Sequence, residues 1–244
     1  MTSTALVIEN DPAQGLGRAA DWLTEAGLEL DLIRPHRGEP VPNSPGGHEA
    51  LIALGGGRGK DWTDELVGLL ECAVADATPT LAICSSSRLL AAAFGGRVED
   101  SDQPIGPRML AKRDAAGYDP VFAAAPMTID VIRWRTQELV ELPESATLLA
   151  ASPHGALEIF RIGASAWGVQ SHFEFTPEQL AGFGVFDEAA LAKAADVDEH
   201  IVETWKPIIQ RFAGVATGEN TASVEFGAAG GATGGRKALP IIDA

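Results

Sequence analysis

Cys84 stands where a short apolar run, residues 79–84 (PTLAIC), gives way to Ser85-Ser86 and then to the helix-forming stretch 88–94 (RLLAAAF). A strand that breaks sharply into a helix exposes the side chain at the turn and aims the helix's first backbone N–H groups at an oxyanion forming beside it. The helix N-terminus also favours thiolate over thiol. On its own, the same cysteine equally suits a packing position at a strand end, since free cysteine is among the most buried residue types. A partner separates the two readings. Residues 167–174 (WGVQSHFE) end a strand in His-x-Glu. That ending can set the imidazole of His172 beside a thiol, while the Glu174 carboxylate fixes its tautomer and stabilises the imidazolium. Cys84, His172 and Glu174 thus read as nucleophile, base and orienting group. Cys72, in mid-helix beside Glu71, has only the packing reading, and His36, His48, His154 and His200 lack a comparable setting.

These side chains need a scaffold, and the pattern along the chain supplies one. Residues 4–9 (TALVIE) read as a strand ended by Asn10-Asp11-Pro12, residues 17–26 as a helix stopped by Gly27, and residues 28–33 (LELDLI) as a second strand. Residues 50–54 (ALIAL) lead into Gly55-Gly56-Gly57 and an amphipathic helix at 64–75; the strand at 79–84 and the helix at 88–94, closed by Gly95-Gly96, follow. Strands alternating with helices at this spacing predict an α/β fold of flavodoxin-like type, with a mostly parallel central sheet and helices on both faces. From about Val121 the strands shorten to 127–131, 147–151, 156–162 and 166–170. Turns at Pro153-His154-Gly155 and Gly163-Ala164-Ser165 add antiparallel strands in this half. A last helix lies around 188–213. Residues 214–244 hold seven Gly and seven Ala and read as a loosely docked tail behind a domain of residues 1–213.

Bulk properties narrow the partners. The 244 residues carry 18 Lys+Arg against 34 Asp+Glu, a formal charge of −16, which attracts neither nucleic acid nor an anionic membrane surface. The five tryptophans are too dispersed for a base-stacking platform, and the basic islands 34–37 (RPHR) and 108–113 (RMLAKR) read as solvated loops. Two cysteines exclude a disulfide framework and a four-cysteine zinc site. Residues 55–60 (GGGRGK) fail as a phosphate loop, because Leu54 holds the first glycine position and Asp61 the Ser/Thr position. Met1-Thr2-Ser3-Thr4 opens without a signal-peptide pattern and no apolar run reaches the ~18 residues of a membrane span, so the expected location is cytoplasmic.

The order of Cys84 in its strand-to-helix turn, Leu142-Pro143, and then 168–174 (GVQSHFE) resembles the class I (triad) glutamine amidotransferases, especially stand-alone domains similar to the amidotransferase half of GMP synthase. The family hallmarks are a Gly-x-Cys-x-Gly elbow and a Gly-Val-Gln-x-His-Pro-Glu strand end. Gly55-Gly56-Gly57, Asp61-Trp62 and residues 89–96 match further, and the likeness covers about residues 4–180. The resemblance implies that Cys84 attacks the γ-carboxamide carbon of glutamine or another γ-glutamyl amide, His172 shuttles protons to the leaving ammonia, and Glu174 holds His172. Backbone N–H groups near Gly56 or Gly57 and of Ser85 would bind the oxyanion, and water would hydrolyse a γ-glutamyl thioester. It implies no metal or organic cofactor, and a separate synthase partner to accept ammonia, since no synthetase domain fits after residue 213.

Departures from the family open two further readings. Ala82 and Ser86 replace the elbow glycines, Arg88 replaces a substrate-holding Gln, Trp134-Arg135-Thr136-Gln137 replaces Ser-His-Gly-Asp, and Phe173 replaces the proline beside the base. Arginines can pair bidentately with a carboxylate, so Arg88 and Arg135 suit a stand-alone hydrolase of larger γ-glutamyl conjugates. A Cβ at 86, crowding a turn that wants unusual backbone angles, suits a catalytically silent binding protein.

Overall fold

The computed structural model describes residues 2–56 and 59–219; Gly57 and the tail from residue 220 onward, both singled out in the sequence, lie outside them. In chain order the elements are β1 (Ser3–Ile8), α1 (Ala19–Glu25), β2 (Leu28–Ile33), β3 (Ala50–Ala53), α2 (Thr63–Ala75), β4 (Thr80–Ile83), α3 (Ser85–Ala93), β5 (Arg97–Asp100), β6 (Gly106–Lys112), β7 (Thr128–Arg133), β8 (Gln137–Glu141), β9 (Ala146–Ala151), β10 (Leu157–Ile162), β11 (Ala166–Val169), α4 (Pro177–Gly182) and α5 (Glu188–Thr217).

Nine strands form one sheet in the order β2-β1-β3-β4-β11-β10-β9-β6-β7. The first five run parallel and the last four continue antiparallel, with β9–β10 and β10–β11 joined by the hairpins that the two turns predict. Strands β3, β4 and β11 are buried at every residue, which is why they read ALIA, TLAI and AWGV without polar alternation. Edge strand β2 alternates instead. Successive residues of each strand face opposite sides of the sheet and feed two cores. Val7, Ile52 and Ile83 pack with Trp22 and Leu23 of α1 and with Trp205 and Phe212 of α5. Leu6, Leu51 and Ala82 pack with Leu66 and Leu69 of α2 and Leu90 of α3. No helix among the described residues is long and apolar enough to cross a membrane.

The register fixes the site. Ala53 lies opposite Ala82, and Ile83 opposite Val169. Because β1, β3, β4 and β11 are parallel neighbours, the segments that leave them, beginning at Glu9, Leu54, Cys84 and Gln170, emerge along one edge, where open α/β sheets place their ligands.

Neither basic island is a solvated loop. Residues 106–112 form β6 between β7 and β9, and Lys112 reaches the carbonyls of Ala123 (2.7 Å) and Ala125 (2.8 Å). Residues 35–37 form a 3₁₀ turn in which Pro35 is buried, and Arg34 and His36 converge on Glu9 (3.3 and 3.1 Å). In both places some of the basic side chains find carbonyl or carboxylate partners, while Arg37 and Arg113 are exposed. The two-stranded ribbon β5–β8 and the short helix α4 are additions the sequence did not announce, and α5 runs on to Thr217 before Gly218 caps it in the left-handed conformation.

Candidate active site

Cys84 occupies the turn between β4 and α3 with φ 55° and ψ −116°, one of two non-glycine residues with positive φ among those described. Such a conformation costs about 1–3 kcal/mol and persists only where neighbours over-determine it. Here the Cys84 N–H donates to Val169 O (2.8 Å), and Ser87 Oγ donates to the Cys84 carbonyl (2.7 Å). The strain therefore sits on the cysteine itself. Ser86 does not crowd the turn as expected from the family glycine: it lies one residue inside α3 without positive φ, fully buried, with its hydroxyl donating to Leu54 O at 2.7 Å.

His172 extends from the end of β11 and is held twice. Its backbone pairs with Ile132 in both directions at 2.8 Å, and Nδ1 donates to Glu174 Oε1 at 2.6 Å. Glu174 Oε2 in turn accepts the Phe173 N–H (2.8 Å). Nε2 is buried without a hydrogen bond of ordinary geometry, which leaves it for the thiol. Burial alone would push the Cys84 thiol up, but the charge and hydrogen bonding of His172, with Arg88 behind them, bring it down to about 6. Burial would likewise depress His172, yet the charges of Glu174 and Cys84 raise it to about 10. Between those values the two groups stand as a thiolate–imidazolium pair. Cys72, by contrast, is raised by desolvation and by Asp76.

Facing the thiol is the loop after β3. A Cβ on Gly55 would fall 3.0 Å from Cys84 Cβ, 3.5 Å from its Sγ and 2.4 Å from Gln14 Oε1. Gly55, lacking a Cβ, thus lets the loop approach Cys84. Gly56, expected from the sequence, has φ +106° and packs against Asp11, and Gly57 lies outside the described residues. Ser85 begins α3 with its N–H at the helix start, and its hydroxyl donates to Gly56 O (3.1 Å). Gln14 was not anticipated, because a lone glutamine in a loop carries no local signal of the site it will face.

Arg88 is buried, with Nη2 4.0 Å from Cys84 Sγ, and lines a cavity of about 230 Å3 with Ser85, Leu89, Val98 and Gln137. Arg135 does not face a substrate. Its side chain is fully buried, bonded to Glu158 Oε1 (2.5 Å) and Ser171 Oγ (2.9 Å), and Ser171 also donates to Glu158 Oε2 (2.9 Å). Nor does Phe173 press on the base: it stacks on Trp205 of α5 with centroids 4.0 Å apart and planes 4° apart. The bulk beside His172 comes from Phe175 (5.1 Å) and Trp134 (5.7 Å), the latter stacked on Phe183 (4.6 Å). A cavity of about 880 Å3 is lined by Arg108, Arg133, Glu138, His154 and Glu158 and touches none of Cys84, His172 and Glu174. No cluster of three or more His, Cys, Asp or Glu suited to a metal occurs among the described residues.

Comparison with known proteins fits this geometry. Residues 20–192 match the family model for glutamine amidotransferase class-I. The chain is 24% identical over 197 residues to a glutamine amidotransferase-like protein, YfeJ, of Salmonella typhimurium, covering 77% of this chain and 82% of that one. It is 27% identical over 199 residues to gamma-glutamyl peptidase 3 of Arabidopsis thaliana, covering 75% and 79%. Among solved structures, a glutamine amidotransferase from Thermotoga maritima superposes with a TM-score of 0.74 at 20% identity, over 87% of this chain and 99% of that one.

Proposed function

The chain belongs to the class-I glutamine amidotransferase family, and on that premise we propose that it cleaves γ-glutamyl amides through a Cys84-His172-Glu174 triad. The observation that carries this reading is the buried imidazole of His172, fixed at Nδ1 by Glu174 and paired through charge with a thiol brought down to about 6. The Cys84 thiolate attacks the γ-carbonyl carbon, and the developing oxyanion is met by backbone N–H groups of Ser85 and of the Gly55–Gly56 loop. His172 gives its Nε2 proton to the leaving nitrogen, so the C–N bond breaks to ammonia or an amine and a γ-glutamyl thioester remains. His172 then takes a proton from water, whose oxygen attacks the thioester; the C–S bond breaks, glutamate leaves, and thiolate and imidazolium are restored.

Glutamine is the simplest such substrate, and its ammonia would pass to a separate synthase subunit. The second reading, a stand-alone hydrolase of γ-glutamyl conjugates, is favoured by Arg88: a guanidinium near the thiol suits a further carboxylate on the conjugate, beyond the α-carboxylate that glutamine also carries. Two free cysteines, one of them a thiolate nucleophile, suit a reducing compartment, and we place the protein in the cytoplasm.

The test is glutamate release from L-glutamine and from a γ-glutamyl arylamide, with Cys84→Ala as blank. Release from glutamine supports the amidotransferase subunit and release from the arylamide alone the conjugate hydrolase. Silence on both, with a thiol that also resists alkylation, refutes the triad.

A further inference from the structure

Three consecutive hydroxyls follow the nucleophile, and each donates to a backbone carbonyl of the elbow or of the loop facing it. Ser85 Oγ reaches Gly56 O (3.1 Å), Ser86 Oγ reaches Leu54 O (2.7 Å), and Ser87 Oγ reaches Cys84 O (2.7 Å). Ser86 and Ser87 are fully buried. Behind Ser86 stands a second layer. Asn10, 2% exposed at the end of β1, donates from Nδ2 to the same Leu54 O (2.7 Å) and to Ser86 Oγ (3.3 Å). Its Oδ1 accepts the indole N–H of Trp62 (3.1 Å), which precedes α2. Leu54 O is thus gripped from two directions, and the grip spans the ends of β1, β3 and β4.

The gripped carbonyls flank Gly55, on which a Cβ would fall 3.0 Å from Cys84 Cβ. A peptide unit is planar and turns as one body, so fixing Leu54 O fixes the peptide that carries the Gly55 N–H, and fixing Gly56 O restrains the far side. Gly55 and Gly56 have no side chains of their own with which to hold that orientation.

We propose that Ser86, backed by Asn10 and Trp62, is a positioning residue that aims the Gly55 N–H at the oxyanion formed on Cys84, in place of the elbow glycine of the family. The inference rests on the triad reading above and adds to it the device that sets the oxyanion hole. It also reverses the meaning of Ser86: the side chain that suits a silent elbow by sequence is part of what keeps the elbow in register.

The experiment compares wild type, Ser86→Ala, Asn10→Ala and the double variant on the better γ-glutamyl amide substrate, with Tm as the check on folding. An interaction made only in the transition state lowers kcat and kcat/KM together and leaves KM unchanged. Losing one oxyanion donor costs about 100- to 1000-fold, and a misaimed one less, so Ser86→Ala is expected to lose about 10- to 100-fold in kcat. The two single losses should multiply to more than the double variant shows, because both act on Leu54 O. Alkylation of Cys84 by iodoacetamide forms no oxyanion, and its pH midpoint should stay at about 6 in every variant. Unchanged kcat in Ser86→Ala with an active wild type overturns this inference alone. So does a kcat loss accompanied by a shifted alkylation midpoint, which would place the effect on the thiol–imidazole pair. An inactive wild type overturns the triad reading, and this inference with it.

Discussion

Replacing His172 with glutamine isolates the electrostatic claim at the centre of the site. In the intact protein the thiol is subject to burial, which raises it, and to the imidazolium, its hydrogen bond and Arg88, which together bring it to about 6. His172→Gln removes the two largest lowering causes and leaves burial in place. The alkylation midpoint of Cys84 should therefore rise to at least the ordinary thiol value of about 8.5, a change of roughly 3 kcal/mol in the thiol–thiolate balance. The midpoint is the diagnostic, because a thiolate of higher pKa is intrinsically more nucleophilic and partly offsets its smaller population at pH 7. The assay is the rate of iodoacetamide labelling from pH 4.5 to 10, read by peptide mass spectrometry so that Cys72 serves as an internal reference whose own value is raised by desolvation and Asp76. A Cys84 midpoint that remains near 6 in the variant would refute the pairing of thiol and imidazole, whatever the variant does to turnover.

Three other outcomes follow from the same geometry. The proposed mechanism requires Cys84 ionised and His172 protonated, so kcat/KM should rise with pH through about 6, hold, and fall through about 10; a profile that falls by pH 7.5 would contradict the assignment. Arg88→Gln restores the residue common in the family and should raise KM for a conjugate with a carboxylate beyond its γ-glutamyl unit while leaving or lowering KM for glutamine; equal KM changes on both would assign Arg88 to the α-carboxylate they share and remove it from discrimination between them. Gly168→Ala puts a methyl 2.2 Å from the Phe160 ring, and overpacking of about 1–3 kcal/mol should lower Tm by roughly 2 to 12 °C; an unchanged Tm would mean that the Phe160 ring swings aside freely.

Features carried by local order were legible in the sequence. The run TLAIC followed by serines predicts the elbow, and GVQSHFE predicts the strand end that brings His172 and Glu174 to it, because both signals are complete within eight residues. The β–α alternation predicts the parallel half of the sheet for the same reason. Long-range pairing was opaque. Arg135 and Glu158 are 23 residues apart and show as two unrelated charges until the chain folds. Strand β6 carries Arg108 and Lys112, whose heads return to backbone carbonyls rather than to water. The β5–β8 ribbon is built of RVED and QELVE, segments too charged to read as strands without each other. Between Gly55 and Gly56 composition offers no distinction, and closeness to Cys84 Cβ singles out Gly55.

The Arg135–Glu158–Ser171 network has a consequence for how this sequence can diverge. With Arg135 fully enclosed and Glu158 nearly so, losing either partner alone strands a charge in the interior, typically at about 3–5 kcal/mol, whereas exchanging both for apolar residues of matching volume can be neutral. The two positions therefore form one heritable unit with a valley between its fit states. Ser171, which bonds to both, adjoins His172, so a lineage crossing that valley stepwise would pass through forms in which His172 itself loses its footing.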